Sequence, residues 1–186
     1  INSKGLNTSA IMGFCNTLHE VLTKEQPDYI GVAFDHGKTF RHEKFPAYKA
    51  QRQETPEDIK RSVPIIQDIL GALRIPILQK DGFEADDVIG TLAHQADEMD
   101  ILTYMLTPDK DYGQLIADNV KMYKPRHGGG YDIIGKEEVQ QKYGIATPAQ
   151  VIDLLALMGD SADNFPGCPG VGEKTAVKLI NQFGSV

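Results

Sequence analysis

Residues 82–111 read G-F-E-A-D-D-V-I-G-T-L-A-H-Q-A-D-E-M-D-I-L-T-Y-M-L-T-P-D-K-D. Gly82 precedes a segment that reads as a helix over about 84–98, and Ile101–Leu106 reads as a short buried strand. The helix begins on Glu84, Asp86 and Asp87, and the strand ends just before Asp109 and Asp111. The same alternation extends in both directions. Upstream, residues 8–24 form an amphipathic helix with Ile11, Phe14, Cys15, Leu18, Val21 and Leu22 at helical spacing, closed by Pro27. Tyr29–Phe34 is an apolar run ending in Asp35, expected as a buried strand. Residues 36–55 show no clean period; Pro56 then opens a helix whose periodicity holds from Ile59 to Leu73 despite Pro64, and Ile75–Leu78 is a second strand. Downstream, Val120–Lys124 is a fourth strand and Gly128-Gly129-Gly130 a loop or hairpin tip. Pro148 starts a helix that runs to Met158 and ends at Gly159, and a last helix starts near Glu173. Short strands alternating with helices predict an α/β fold with a mostly parallel central sheet flanked by helices. From about residue 136 only helices are expected, so 1–135 reads as the core and 136–186 as a helical appendage.

The 186 residues suffice for one sizeable core, and 41% apolar with 24% charged residues is ordinary for a globular chain. No apolar run reaches the roughly 18 residues of a membrane span. The sequence opens at Ile1 without Met, so its true start is expected upstream and the lack of a leader carries no weight. Two cysteines, Cys15 and Cys168, are too few for a disulfide scaffold and fit a reducing cytoplasm, with Cys15 expected in the core. The net charge of −7 argues mildly against a nucleic-acid partner. The stretch Lys38–Arg61 is the exception: seven basic residues against four acidic ones leave it at +3.

In open α/β sheets ligands bind beyond the carboxyl ends of strands. Asp35 follows the first strand, and Asp109 and Asp111 follow the third. Glu84, Asp86 and Asp87 start a helix, and Asp160 and Asp163 lie in G-D-S-A-D-N after another. Each group has a bland explanation: acids suit a first helical turn, and Asp suits turns and caps. Together, eight carboxylates at element ends repel one another unless cations neutralise them. An oxygen-only ligand set suits Mg²⁺ or Mn²⁺, and two such ions about 3.5–4 Å apart can serve a phosphoryl transfer.

F-R-H-E-K-F-P-A-Y-K-A-Q-R, residues 40–52, interleaves Phe40, Phe45 and Tyr48 with Arg41, Lys44, Lys49 and Arg52. Basic side chains suit phosphates and aromatics suit unpaired bases; a solvated surface loop is the alternative. P-G-C-P-G-V-G-E-K-T-A, residues 166–176, sets Gly170 and Gly172 just before a helix, where backbone N–H groups can approach a phosphate, with Lys174 following. No strand precedes it, which separates it from a dinucleotide fingerprint.

V-A-F-D, F-R-H-E-K-F-P-A-Y-K-A-Q-R, T-P-E-D-I, G-F-E-A-D-D-V-I-G, L-T-P-D-K-D-Y-G-Q-L and G-D-S-A-D-N-F-P-G-C-P-G-V-G-E-K-T-A follow one another in this order. Together they resemble the 5′-nuclease domain of bacterial DNA polymerase I, within the flap endonuclease family, over nearly the whole chain. The resemblance implies a PIN-like core with a helix-three-turn-helix and a basic arch at about 36–62. It implies a two-metal phosphodiesterase that removes RNA primers and 5′ flaps. Asp35, Glu84 and Asp86 match the first metal site, with Asp87 close by; Asp109, Asp111, Asp160 and Asp163 match the second. Tyr48, Lys49 and Arg52 match arch residues that act near the scissile phosphate. Arg41 and Lys44 belong to the same DNA-binding segment. Gly170, Gly172 and Lys174 match the duplex-holding element, where the family also binds K⁺. A flapped or nicked DNA, or an RNA primer–DNA hybrid, is the implied partner of a monomer in the bacterial cytoplasm, at the nucleoid. The family's first strand, with a further metal-binding Asp, is expected upstream of Ile1, and the rest of the appendage and the polymerase beyond Val186. A stand-alone exonuclease and a DNA-binding module without catalysis stay open; the G-D-S-A-D-N…P-G-V-G-E-K block argues against a PIN-type ribonuclease.

Overall fold

The computed structural model describes residues 5–126 and 129–186. Helix α1, Ser9–Glu20, runs on through a π-helical turn, Val21–Glu25, and Gln26 closes it with φ of 47°. Strand β1, Val32–Ala33, pairs in parallel with β2, Ile77–Leu78, through Val32↔Ile77 and Ala33↔Leu78. The expected strands over 29–34 and 75–78 shorten to these pairs. Helix α2, Phe40–Lys44, lies in the segment where no period was visible. Helix α3, Glu57–Ala72, starts after Pro56 and continues through Pro64. It packs on α1 around buried Leu18, Ile66, Leu70 and Ile75, with Ile30, Val32 and Phe34 beside them. Cys15, expected in the core, is half-buried, and Cys168 is exposed.

Helix α4, Ala85–Glu98, contacts both β1 and strands β3, Thr103–Leu106, and β4, Val120–Pro125. β3 and β4 run parallel, with Met105 opposite Met122, and both side chains point into the main core. Strand β5, Tyr131–Ile134, was not expected. It pairs antiparallel with β4, so the sheet is parallel except at this edge, and it stands in two pieces, β1–β2 and β3–β4–β5. Gly129 and Gly130 take positive φ in the intervening turn, and Gly128 lies outside the described residues.

Helices α5, Lys136–Tyr143, α6, Gln150–Met158, and α7, Glu173–Phe183, follow. Their buried Val139, Val151, Leu154, Ala176 and Ile180 join Met105, Val120 and Met122 in one apolar cluster. The helical part therefore adds side chains to the same core as the sheet. Among the described residues, no helix is long and apolar enough to cross a membrane.

Candidate active site

The carboxyl end of β1 and the amino end of α4 meet first. The Ala85 N–H donates to Asp35 Oδ1 at 2.8 Å, so the strand-end acid sits on the partial positive charge of the helix start. Pairing continues past β1 through a bridge between Thr39 and Gly82, which brings the arch base beside α4. Glu84, at the cap of α4, is 7% exposed. Tyr48 donates its hydroxyl to Glu84 Oε2 at 2.8 Å, and Lys49 Nζ donates to Oε1 at 2.8 Å. Burial pushes the Glu84 pKa up, but the Lys49 and Tyr48 hydrogen bonds outweigh it and hold the group below the usual value.

Asp109 caps a 3₁₀ turn, Lys110–Leu115, by accepting from the Asp111 N–H at 3.0 Å. Asp160 and Asp163 stand on a loop pinched by two backbone bonds between Asp160 and Phe165, at 3.0 and 2.8 Å. The arch is fastened to that loop: Lys49 N–H donates to Asp163 O, Asn164 Nδ2 to Ala47 O, and Phe45 stacks on Phe165 with ring centres 5.3 Å apart.

All eight expected carboxylates line two adjoining clefts. One, of about 250 Å³, holds Asp35, Asp109 and Asp160; the other, of about 330 Å³, holds Glu84 and Asp87; Asp86, Asp111 and Asp163 face both. Cations of the arch, Lys49 and Arg52, and Lys110 of the 3₁₀ turn line the smaller cleft among the acids. Arg52 donates to Asp163 Oδ1 at 2.7 Å, and Lys110 lies 3.9 Å from Asp160. Among the described residues, no three acidic or His/Cys side chains converge closely enough to hold an ion as they stand. The donor set nevertheless fits a hard cation, because Asp111 Oδ1 is buried without a hydrogen-bond partner among the described residues. Burial and the neighbouring charge of Asp109 push the Asp111 pKa up to about 6, against the pull of Lys110.

Four side chains expected at metal or nucleic acid have partners within the fold. Arg41 grips both oxygens of Asp87, at 2.6 and 2.7 Å, and one of them also accepts the Glu84 N–H. The same fork commits the Arg41 guanidinium, expected on DNA, to α4. The Tyr48 ring is 3% exposed, so it is covered by protein and not free to stack on a base. Phe40 is likewise engaged, tilted on Phe83, with Lys44 and Arg41 over its face. At the other end, Gly170 and Gly172 are exposed ahead of α7, and Lys174 is exposed in its first turn. Phe45, Lys110, Tyr112 and Phe165 belong to the site without having been singled out as partners of the acids.

The sign of the Asp111 shift gives a test. A carboxyl raised above its ordinary 3.8 prefers its protonated form in the fold. Its contribution is present below about pH 4 and is lost as pH rises through about 6. The metal-free Asp111→Asn variant should therefore melt higher than the parent above about pH 6, with the gap closing toward about pH 4. Coincident melting curves at neutral pH would show that Asp111 is not under charge stress.

A parallel-sheet core with acids at its strand ends, a basic arch over them and a glycine-led helix beyond is the architecture of a 5′-nuclease. The chain belongs to the 5′-3′ exonuclease family: the model of its N-terminal resolvase-like domain matches residues 1–144, and that of its C-terminal SAM fold matches 146–186. The chain is 44% identical over 187 residues to DNA polymerase I of Bacillus caldotenax, covering all of this chain and 21% of that protein. It is 45% identical over 184 residues to DNA polymerase I of Mycobacterium bovis, covering 98% of this chain and 20% of that one. It thus spans about a fifth of the length of these relatives. In fold it is similar to bacteriophage T5 D15 protein co-crystallised with metal ions, with a TM-score of 0.80 and 24% identity over 94% of this chain and 69% of that one. It is also similar to the catalytic core of Rad2 in complex with DNA substrate, with a TM-score of 0.62 and 20% identity over 98% of this chain and 57% of that one.

Proposed function

We propose that this chain is the structure-specific 5′-nuclease part of a DNA polymerase I, hydrolysing phosphodiesters at 5′ flaps, nicks and RNA primers. The observation that carries this reading is the gathering of eight carboxylates from four chain segments onto adjoining clefts beneath a basic arch. The polymerase assignment rests on the relatives, and the activity on family membership joined to the site.

The acids would hold two divalent cations, Mg²⁺ or Mn²⁺. Asp35, Glu84 and Asp86 would serve one and Asp109, Asp111, Asp160 and Asp163 the other, with Asp87 acting through Arg41 and Glu84. Such ions, when bound, activate water and stabilise charge on the attacking and leaving oxygens. The chain's own residues do the rest. Lys49 and Arg52 are held over the clefts by Glu84 and Asp163, so an incoming phosphate meets cations already in place. Exchange of those carboxylates from Lys49 and Arg52 to metal would free both side chains for the phosphate. Tyr48 keeps Glu84 and Asp163 in register, donating to one at 2.8 Å and lying 3.1 Å from the other. The exposed Gly170–Lys174 turn would take duplex backbone, where the resemblance also places K⁺. A monomer in the bacterial cytoplasm, at the nucleoid, completes the reading.

The experiment is cleavage of a labelled duplex with a single 5′ flap. Release of the flap should require Mg²⁺ or Mn²⁺ and stop with EDTA. Cleavage unaffected by chelation would rule out the metal-ion mechanism. Tight flap binding without cleavage at any divalent concentration would instead leave a DNA-binding module.

A further inference from the structure

Tyr112 is buried, 6% exposed, with its ring packed in the main core. It follows directly on Asp109, Lys110 and Asp111 in the 3₁₀ turn. Its hydroxyl donates to Asp86 Oδ1 at 2.6 Å. Among the described residues it is the one hydrogen-bond donor to that side chain. At this length the bond is a charge-assisted O–H···O⁻ contact, about twice as strong as a neutral one.

The approach that permits it is built into α4. Gly90 stands one turn beyond Asp86, and a Cβ there would meet Leu115 of the 3₁₀ turn at 3.2 Å. The missing side chain lets the turn lie close on the helix. A carboxylate on Asp spins broadly about its terminal torsion. A core-anchored hydroxyl on one oxygen removes that freedom and leaves the other oxygen for the cleft. Since Asp86 faces both clefts, its orientation decides where its oxygens stand relative to both groups of acids.

We infer that Tyr112 is a positioning residue for divalent-cation binding: it fixes the Asp86 carboxylate and locks α4, with the first acidic group, to the turn bearing the second. This rests on the two-cation reading above. Outer partners of ligating carboxylates change metal affinity about 10–100-fold when removed. Tyr112 does not touch the cation or the substrate; it acts through Asp86.

The test uses Tyr112→Phe, which deletes only the hydroxyl. Mn²⁺ binding is read from the free-ion signal in electron paramagnetic resonance, and folding from circular dichroism. Mn²⁺ affinity should fall about tenfold or more. The Mg²⁺ concentration for half-maximal flap cleavage should rise in parallel, and added Mg²⁺ should narrow the deficit. The flap KM at high Mg²⁺ should stay near that of the parent. A folded Tyr112→Phe protein with parental Mn²⁺ affinity overturns the inference. A second comparison, read at a temperature where circular dichroism shows both proteins folded, sets Asp86→Ala, which removes the acceptor of the Tyr112 hydroxyl, against Asp86→Ala/Tyr112→Phe. If Tyr112 works through Asp86, the two bind Mn²⁺ alike; a further tenfold drop in the double variant overturns it. A parent protein that takes up no Mn²⁺ sinks the two-cation reading itself and this inference with it.

Discussion

Replacing Asp109 by Asn should lower flap cleavage about a thousandfold, the rate equivalent of several kcal/mol of lost transition-state stabilisation. Flap binding should survive. The geometry separates these effects. Asp109 Oδ1 accepts the Asp111 N–H that starts the 3₁₀ turn, and the Asn amide oxygen keeps that bond. The turn, Tyr112 and the core behind them therefore persist. What disappears is one negative charge at the rim of the cleft that also holds Asp111 and Asp160. The two measurements are single-turnover cleavage of a labelled flap in Mg²⁺ and flap affinity in EDTA. Cleavage within threefold of the parent would make Asp109 a cap and nothing more. Loss of affinity in step with loss of cleavage would point to a damaged turn.

The helices around this site were legible because their signals are local. The apolar period and the Pro and Gly punctuation of α3, α4, α6 and α7 lie within each segment, so their limits were expected to within a few residues. The acids were singled out on equally local grounds: Asp35, Asp109 and Asp111 follow strands, Glu84, Asp86 and Asp87 open a helix, and Asp160 and Asp163 lie in the loop after one. The strands were less so. The run 29–34 is apolar throughout, yet the paired strand is only Val32–Ala33, with one further bond from Phe34 N–H to Leu78 O, because pairing depends on where β2 passes. β5, Tyr-Asp-Ile-Ile, has no alternation of its own and is defined by its hairpin with β4.

Least legible was which charge meets which. Arg41 and Asp87 are 46 positions apart, and Arg52 and Asp163 are 111 apart. Composition showed a basic segment and an acidic set; it could not show that the first folds back on the second. The fold-back also bears on the chain's net charge of −7. Repulsion within the acid cluster is offset locally by Arg41, Lys49, Arg52 and Lys110. The rings of the arch follow the same logic. Phe45 and Tyr48 pack against Phe165 of the acidic loop, so the arch base is part of the scaffold that spaces the carboxylates.

That acidic loop depends on two glycines whose role no local pattern reveals. Gly159 and Gly167 cross at its neck, with φ of 78° and 64°. A Cβ on Gly159 would lie 2.5 Å from Phe165 O, and one on Gly167 would fall on the backbone of Met158 and Gly159. The obstacles are main-chain atoms held by the Asp160–Phe165 bonds and by Cys168 N–H on Leu157 O at 2.8 Å, so nothing flexible can turn aside. Gly167→Ala should therefore combine left-handed strain of about 1–2 kcal/mol with overpacking of about 1–3 kcal/mol. The expected total is about 2–5 kcal/mol, or roughly 4–20 °C in melting temperature for a domain of this size. Gly170→Ala is the control. Its φ is 79°, but a Cβ there meets nothing within 4 Å, so strain alone should cost about 1–2 kcal/mol. Thermal melts of the two variants beside the parent decide the matter. Equal losses would mean that the neck can open. A much larger loss at Gly167, with flap cleavage falling even below the melting transition, would show that the crossing of these two backbones sets the positions of Asp160 and Asp163.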